Sequence, residues 1–535
     1  MASRLDADLA IINGVIFTGA GLTPGSLAVR SGAIIDVGSD LRYLIGPRTE
    51  VIDAGGGLVT PGFIDAHVHP VTGGLKLLRC SLDQAGSGDE ALELVASYSL
   101  AHPERDWIWG GGWSLEWFPG GTPAATALDR VTGNRPAILY NKDGHGAWVN
   151  SAALARAGIT SETSDPADGR IERNFDGSPQ GTLHEGAMAL IEAILPPVAA
   201  REWEEALSAG QGYLLSCGIT GWQDAAVETE HEDAYRALAG RGELVASVVA
   251  ALWWDRQRGF EQIADLMGRR ASPAPGYRPT SVKLMLDGII ENYTAAMLEP
   301  YRDASGAPTE NTGIDFISAS ELAEITSRLD RIGFQCHFHA LGSRAVRHAL
   351  LALAQLATKR DQRHHLAHLQ VVDPADLSLF ASTGATANLQ PLWACNEPQM
   401  TELTLPIIGK RSAESQYPFQ SLAAAGVPIA MGSDWPVTTA NVFQQIEVAV
   451  TRRNPFHRDR EAFDPHQALT LTEALNAFTA GSARVNRVAD RVGTIAVGMA
   501  ADLAVMDRNP FVEAPIGDTR VTFTIKGGRP VYRQE

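Results

Sequence analysis

Short apolar runs alternate with polar, glycine-containing turns at both ends of the chain. Near the N-terminus, Asn-Gly and Ser-Gly pairs separate β-rich runs, a pattern typical of hairpins. The runs are residues 10–12, 15–17, 26–29 and 33–38, and residues 491–533 have the same texture. The pattern predicts two short all-β ends, and we expect them to meet and form one β-sandwich.

The middle of the chain, from about Pro61 to Asn486, has a different pattern. Apolar runs of strand length alternate with stretches whose apolar residues recur at helical spacing, such as 319–332 and 469–483. This alternation is typical of repeated βα units. Strand ends are predicted at residues 63–67, 218–222, 282–286, 334–339 and 429–434. The stretch from about 107 to 197 is rich in Trp, Gly and Pro and fits no single βα unit.

The length of the chain narrows the fold class. Its 535 residues are too many for one ordinary domain, but they accommodate a large barrel of about 250 to more than 400 residues with one accessory domain. We therefore predict an α/β fold, a TIM-type (β/α)8 barrel with a small β-sandwich formed by both termini. Residues 1–60 and 487–535 are assigned to the sandwich and 61–486 to the barrel, with 107–197 as an insertion near the barrel mouth.

Composition and charge exclude several classes of protein. The hydrophobic and charged fractions, 45% and 20%, are close to those of folded globular proteins. The net charge is −18 and no Lys/Arg-rich tract is present, so nucleic acid is not an expected partner. Four dispersed cysteines without a CxxC pair favour a reducing compartment. Since neither a leader-like start nor a run of about 18 apolar residues occurs, we expect a cytoplasmic protein without membrane contact.

The strongest motif is 61-PGFIDAHVHP-70, an apolar run that ends in His67 and His69. Residues i and i+2 of a strand point to the same face, so both imidazoles could reach one cation inside a barrel. An ordinary strand end with two partly buried histidines would have the same spacing. The surrounding sequence decides between the two interpretations.

Three further apolar runs end in a possible ligand: His339, His368 and Asp434. Their order suits successive barrel strands, whose carboxyl ends line the active site of such folds. Imidazole and carboxylate groups together suit a divalent ion such as zinc. His337 forms a second His-x-His with His339, so it is either a ligand or a deeper histidine hydrogen-bonded to a neighbour.

With these motifs, the chain resembles amidohydrolase family 3, the branch that contains N-substituted formamide deformylases. The resemblance covers nearly the whole chain. It rests on PGFIDAHVHP, NKDGHGAWVNSAAL (141–154), GTLHEGAM (181–188), VKLMLDG (282–288), GSDWPV (432–437) and VGTIAVGMAADLAVMD (492–507). The resemblance implies a TIM barrel, and it is what implies that the two termini pair in one sandwich.

The resemblance also implies a ligand set. It puts His67 and His69 on the first barrel strand, His339 on the fifth, His368 on the sixth and Asp434 on the eighth. Lys283 falls where many members have a fourth-strand lysine, which carbon dioxide converts to a carbamate that bridges two metals. A buried salt-bridge lysine, paired with Asp287, is the alternative. One or two divalent ions, most simply zinc, are expected per chain.

Two departures from the family pattern affect the surroundings of the ligands. Ser343 stands in Gly-Ser-Arg where relatives commonly have Gly-Asp-Arg, and Leu366 stands near the position of an acidic residue before His-Ala-Gln. The ligand positions themselves are retained. The groups that orient the ligating histidines are therefore the part of the site that the resemblance does not predict.

Other candidate residues belong to the substrate pocket. Asp434 and His145 are predicted to be catalytic, Asp434 by moving a proton and His145 by stabilising a developing oxyanion. Glu185, Trp113 and Trp393 are predicted to bind substrate in a partly aromatic pocket, although tryptophans at such positions can equally belong to the core.

Three functions are compatible with these residues. The favoured one is hydrolysis of a C–N bond of an N-substituted amide or formamide by metal-activated water. A metal-dependent decarboxylase or isomerase would use the same ligands, and a regulatory or binding protein would need none of them. The expected partner is a small-molecule substrate. A homodimer is the oligomeric state compatible with these expectations.

Overall fold

A computed structural model describes residues 6–357 and 360–534 of the chain. Its strands are β1 (Leu9–Phe17), β2 (Leu22–Arg30), β3 (Ala33–Gly38), β4 (Glu50–Asp53), β5 (Leu58–Pro61), β6 (Phe63–Val68), β7 (Cys80–Ser81), β8 (Ile108–Trp113), β9 (Ala137–Asn141), β10 (Gly146–Val149), β11 (Gly169–Arg173), β12 (Pro179–Glu185), β13 (Ile219–Val227), β14 (Ser247–Trp253), β15 (Tyr277–Met285), β16 (Gln335–Ala340), β17 (His365–His368), β18 (Thr386–Leu389), β19 (Ile429–Met431), β20 (Leu503–Met506), β21 (Val521–Lys526) and β22 (Arg529–Arg533).

The α-helices lie mostly between the strands of the central part of the chain. They are α1 (Pro70–Leu77), α2 (Gly88–Ala101), α3 (Ala125–Thr132), α4 (Ser151–Ala157), α5 (Ala189–Glu192), α6 (Ala200–Ser216), α7 (Thr229–Arg241), α8 (Ile263–Arg270), α9 (Ala319–Arg331), α10 (Ser343–Ala354), α11 (Leu377–Thr383), α12 (Lys410–Ala413), α13 (Phe419–Ala424), α14 (Val442–Thr451), α15 (Leu471–Asn476) and α16 (Ser482–Val485). No helix among the described residues is long and apolar enough to cross a membrane.

Eight parallel strands form a nearly closed barrel in the order β6, β13, β14, β15, β16, β17, β18 and β19. Their residues are almost all buried, as expected of strands that face a barrel interior on one side and helices on the other. The TIM-type barrel predicted from the alternating pattern is therefore confirmed. All parallel strands end at the same rim, which brings their C-terminal residues together.

Polar contacts join the first and last barrel strands. Asp65 on β6 accepts hydrogen bonds from the backbone N–H of Ser433 at 3.0 Å and from its hydroxyl at 2.5 Å. Beyond β19, the N–H of Asp434 donates to the carbonyl of His67 at 2.7 Å. These contacts hold the segment that carries Asp434 against the segment that carries His67.

Strands from both termini share a second sheet. Its order is β22, β21, β20, β5, β1, β2 and β3, with β4 paired to β1. The antiparallel contact of β20 with β5 joins the C-terminal strands to the N-terminal ones. The two termini therefore share one sheet. The arrangement of this sheet as a sandwich of two facing layers stays a prediction, and so do the domain boundaries at residues 60 and 487.

A third sheet, of six strands, lies between the first and second barrel strands in sequence. Its order is β11, β12, β10, β9, β8 and β7, so it begins at Cys80, before the predicted insertion at residue 107. Residues of this sheet and its loops, including Tyr140, Lys142 and Glu185, line the same cavity as the predicted metal ligands. The sheet therefore forms part of the wall above the barrel rim.

Candidate metal centre and active site

The six predicted metal ligands lie together at the C-terminal rim of the barrel. His67 is near the end of β6 and His69 follows it, Lys283 is on β15, His339 is on β16, His368 ends β17, and Asp434 follows β19. All six line one cavity. The assignment of these residues to the first, fourth, fifth, sixth and eighth strands agrees with the strand order of the barrel.

Asp434 lies at the centre of this cluster. Its Oδ1 is 3.3 Å from Nε2 of His67 and 3.2 Å from Nε2 of His69, and its Oδ2 is 3.9 Å from Nδ1 of His368. Ligand atoms of His67, His368 and Asp434 all lie within 4.8 Å of one another, and the three residues are buried. One ion could therefore contact two imidazoles and a carboxylate.

The backbone at the cluster adopts conformations that are uncommon for residues other than glycine. His368, Leu369 and Asp434 have φ angles of +76°, +51° and +59°. Such angles cost of order 1–3 kcal/mol each and persist where the surroundings impose them, often at functional sites. The N–H of His368 is held by the side-chain oxygen of Gln390 at 2.7 Å. The turn after each strand thus fixes the direction of its ligand.

His337 lies deeper in the barrel than the ligands and contacts His67. Its Nε2 is 2.9 Å from Nδ1 of His67, and its Nδ1 is 2.6 Å from Oε1 of Gln223. Both ring nitrogens are therefore engaged, which favours the deeper, hydrogen-bonded interpretation of His337 over ligation. Gln223 also accepts from Nε2 of His365 at 2.9 Å and donates to Asn486 at 2.9 Å. This polar chain leaves Nε2 of His67 directed towards Asp434.

Asp287 holds His339 in a similar way. Its Oδ1 is 3.1 Å from Nδ1 of His339, and its two oxygens accept from the N–H groups of Leu341, Gly342 and Ala296. The alternative pairing of Lys283 with Asp287 is wrong, because the Asp287 carboxylate contacts His339 of the next strand and the backbone N–H groups instead. Asp287 thus orients His339. The resemblance did not predict this orienting group, because the chain departs from the family pattern at Gly-Ser-Arg.

Burial makes the cluster suitable for a cation. It holds the pKa of His67, His339 and His368 well below 6.5, aided by the neighbouring positive charges, so these imidazoles are neutral and can donate an electron pair. Burial also lowers the pKa of Lys283 to about 8, although Asp434 and Asp224 act in the opposite direction. Neutral imidazoles beside a carboxylate form a donor set that fits a divalent metal.

His145 and Glu185 form an ion pair on the wall of the cavity. Nδ1 of His145 is 2.9 Å from Oε2 of Glu185. Burial alone lowers the pKa of His145, but Glu185 outweighs it and raises the pKa to about 9. Glu185 also accepts from the Thr294 hydroxyl and has a φ of +51°. The structure thus brings a cationic imidazole to the ligand cluster, its ring centre 5.6 Å from that of His339.

The cavity above the cluster has a volume of about 620 Å³. Much of its wall is apolar or aromatic, formed by Leu75, Trp109, Tyr140, Met188, Trp203, Trp253, Met285 and Phe316. A smaller recess of about 40 Å³, which shares Asp434 with the cavity, is lined by Trp393, Tyr417 and Gln370, among others. The predicted aromatic pocket is therefore present, with Trp393 in the recess.

Trp113 does not line the cavity. It is fully buried, its Nε1 donates to the carbonyl of Leu139 at 2.7 Å, and its ring packs edge-on against Trp148 and Phe118. Trp113 belongs to the core of the six-stranded sheet, so its prediction as a substrate-binding residue is corrected. Trp109, four residues earlier on the same strand, faces the cavity instead.

Comparisons with known proteins agree with this geometry. The sequence pattern of the amidohydrolase family matches residues 50–532. The chain belongs to the amidohydrolase family. This amidohydrolase is 29% identical to Protein LONG AFTER FAR-RED 3 of Arabidopsis thaliana, over 98% of this chain and 92% of that protein. It is 27% identical to N-substituted formamide deformylase of Arthrobacter pascens, over 96% of this chain and 95% of that protein.

A solved structure shares the fold of this amidohydrolase. It is an uncharacterized metal-dependent hydrolase from Pyrococcus horikoshii OT3, with a TM-score of 0.73 and 22% identity over 94% of this chain and 98% of that chain. The family match and the His/His/Asp cluster, in turn, support a hydrolase that uses a divalent metal.

Several residues around the site of this amidohydrolase were not predicted from its sequence. Asp65, Gln223, Asp287 and Asn388 are buried and contact the ligands or the residues that support them. Apart from the contact of Asp65 with His67, these contacts join residues that are far apart in the chain. Asp65 and Asp287 did carry a local signal, since each is a charged residue at the end of an apolar run. Gln223, 114 residues before His337, carried none.

Proposed function

We propose that this amidohydrolase cleaves the C–N bond of an N-substituted amide or formamide with metal-activated water. The observation that carries the proposal is the position of Asp434. Its carboxylate contacts three histidines, of which His67 and His368 are buried, and at the same time faces a cavity of about 620 Å³ with a largely apolar wall. A proton acceptor, a cation site and space for an organic substituent therefore occur together.

The residues that would hold the metal are His67, His69, His368 and Asp434, with His339 and Lys283 for a second ion. Zinc suits this mixture of nitrogen and oxygen donors, and we propose it as the native metal. When bound, the ion lowers the pKa of a water molecule towards about 7 and polarises the substrate carbonyl.

Asp434 would move the proton. Burial alone raises its pKa, but the contact with His69 and the neighbouring His368 outweigh it and hold the pKa below the ordinary value. The carboxylate is therefore ionised near neutral pH and can accept the proton of the attacking water. It can then pass this proton to the leaving nitrogen, a transfer typically worth about 10² to 10⁴-fold in rate.

His145 would stabilise the oxyanion that develops when water adds to the carbonyl. Its Nδ1 is occupied by Glu185, which leaves the Nε2–H of the cation free to donate to a substrate oxygen. A charged donor in a buried site stabilises a developing negative charge more than the neutral carbonyl that precedes it. Glu185 would thus act through His145, and Trp393 would contact the substrate from the recess.

The shape of the cavity favours one part of the substrate over another. The aromatic wall suits an apolar N-substituent, whereas the recess next to Asp434 and His145 has a volume of about 40 Å³. A small acyl group, such as formyl, would fit beside the ligands. The likeness to N-substituted formamide deformylase supports the same choice of substrate class.

Lys283 is proposed to be carboxylated. Carbamate formation needs an unprotonated amine, and burial lowers the pKa of Lys283 to about 8, which raises the unprotonated fraction. Its Nζ lies 3.5 Å from Nε2 of His67, one of the residues proposed to hold the metal. A carbamate there would add a bridging carboxylate to the donor set.

The test is a screen of metal-reconstituted protein against N-substituted formamides, anilides and carbamates in ¹⁸O-labelled water. Hydrolysis puts one solvent oxygen into the acid product, whereas decarboxylation or isomerisation of the same compounds does not. We expect release of formate that carries the label, and release slower by about 10² to 10⁴-fold in the Asp434→Asn variant. Turnover without label in the acid, or no turnover of any amide by the metal-loaded protein, would contradict the proposal.

A further inference from the structure

A second cavity, of about 200 Å³, lies at the end of the barrel opposite the metal ligands. Its barrel residues, Ile64, Thr220 and Ser247, stand at the starts of β6, β13 and β14, whereas the ligands stand at or beyond strand ends. Asp502 and Lys526 of the terminal sheet close its other side. The cavity is therefore separate from the site proposed for hydrolysis.

Two arginines with few partners line this cavity. Arg278 makes one long hydrogen bond, from Nη2 to the carbonyl of Asn486 at 3.5 Å. Burial lowers the pKa of Arg278, and the charge of Arg491 lowers it further, while Asp490 acts in the opposite direction. Neither arginine forms an ion pair with a carboxylate anywhere in residues 6–357 or 360–534. The two positive charges thus repel each other at the wall of a cavity.

More arginines lie near Arg278. Burial lowers the pKa of Arg487, and the charges of Arg270, Arg363 and Arg278 lower it further. Burial and the charge of Arg363 likewise lower the pKa of Arg484. Asp361 pairs with Arg363 at 2.6 Å and offsets one of these charges. The whole chain carries a net charge of −18, so this accumulation of arginine is opposite in sign to the rest of the protein. It creates a local positive potential that attracts anions.

A buried amide adds a donor at the same place. Asn486 lines the cavity and is 4% exposed. Its Oδ1 accepts from Nε2 of Gln223 at 2.9 Å, which leaves its Nδ2 as a donor without a partner among the described residues. An oxygen placed in the cavity could accept a hydrogen bond from this amide.

The one carboxylate on the cavity wall does not oppose an anion. Asp502 pairs with Nζ of Lys526 at 2.6 Å and accepts from the N–H of Gly527 at 2.8 Å. Lys526 also donates to the hydroxyl of Ser247 at 2.8 Å. The Asp502 charge is thus neutralised locally, and the positive charges of Arg278 and Arg491 stay in excess.

We propose that this cavity binds a small oxyanion, a carboxylate or a phosphate group, between Arg278 and Arg491 with Asn486 as a third donor. Guanidinium groups bind both kinds of oxyanion through paired hydrogen bonds. The volume of about 200 Å³ accommodates a small molecule and excludes a large one. The proposal concerns a binding site away from the hydrolytic centre and does not depend on the substrate class.

The test is calorimetric titration of the metal-loaded protein with sodium sulfate, against sodium chloride of equal ionic strength. The variants are Arg278→Gln and Arg491→Gln. The matched control is Arg201→Gln on α6, because the Arg201 side chain is 89% exposed and its one ion pair within the described residues is with Glu205. We expect saturable sulfate binding by the native protein and the control, and binding weakened about ten-fold or more in both cavity variants.

Two further titrations distinguish the source of the oxyanion. Inorganic phosphate and succinate are compared on the same four proteins, and tighter binding of one identifies the preferred group. Equal affinities in the native protein and both cavity variants would place the anion elsewhere, for example at the metal, and would overturn the proposal, as would the absence of saturable binding. Arg491 is exposed, so Arg491→Gln remains informative if Arg278→Gln does not fold.

Discussion

His337 and His67 share a hydrogen bond at 2.9 Å, between Nε2 of the first ring and Nδ1 of the second. Because Nδ1 of His67 is engaged in this hydrogen bond, its Nε2 is the ring nitrogen that faces Asp434 and the cavity. Gln223 holds the other nitrogen of His337, which fixes the whole chain of donors and acceptors. We therefore expect His337 to position a ligand rather than to be one.

Replacing His337 by phenylalanine should weaken metal binding. Phenylalanine keeps a ring of similar size but leaves Nδ1 of His67 without its partner, and the loss of such support typically costs about 10 to 100-fold in metal affinity. Competition with a chelator measures the change. His466→Phe, at an exposed position, is the control. An unchanged metal affinity in folded His337→Phe protein would show that this contact does not orient His67.

The change Asp434→Asn should reduce turnover far more than it weakens substrate binding. Asparagine has nearly the same shape and still offers an oxygen, but it cannot take a proton from water. We expect kcat to fall about 10² to 10⁴-fold and KM to change only modestly. Turnover, thermal midpoint and metal content are measured on one preparation. Near-normal turnover with metal bound would remove Asp434 from the mechanism.

Lys283→Ala should lose both metal and activity. If a carbamate completes the donor set, short carboxylic acids such as acetate should restore part of both by supplying the missing carboxylate. Metal content and rate are compared with and without the added acid. A fully active enzyme with one metal and an unmodified lysine, as judged by intact mass, would rule out the carbamate.

Activity should fall as the pH rises through about 9, because His145 loses its proton there. The folded pKa lies above the ordinary value of 6.5. The contribution of the ion pair to stability is therefore fully present below about pH 6.5 and is lost as the pH rises through about 9. A pH–rate profile of His145→Asn, lower in rate but without this alkaline loss, is the expected comparison. The same alkaline loss in both proteins would assign it to another group.

Removing the metal should abolish activity while most of the fold remains. A barrel of this size buries a large core without help from an ion, so its far-ultraviolet circular dichroism should change little on chelation. Elemental analysis of the active protein should find one or two divalent ions per chain. Active protein without such a metal would contradict the metal-dependent reaction itself.

Local pattern was sufficient to predict the barrel and most of its proposed ligands. The His67-x-His69 spacing and the apolar runs before His339, His368 and Asp434 report which residues share a face and where a strand ends. In a parallel barrel, all strand ends meet at one rim, so these local signals converge on one site. The number of the strand that carries each of these residues came instead from the resemblance to the amidohydrolase family.

The same local rule could not show which of His337 and His339 lies deeper in the barrel. It also could not show which of Trp113 and Trp109 faces the cavity. His337 and His339 share a face, but closure of the barrel puts His337 two residues deeper, against Gln223 and His67. Trp113 and Trp109 are on one strand, yet the first packs into the sheet core and the second faces the cavity. Periodicity specifies the direction of a side chain relative to its strand. The residues that it contacts in that direction come from distant segments of the chain, and they are brought together only when the barrel forms.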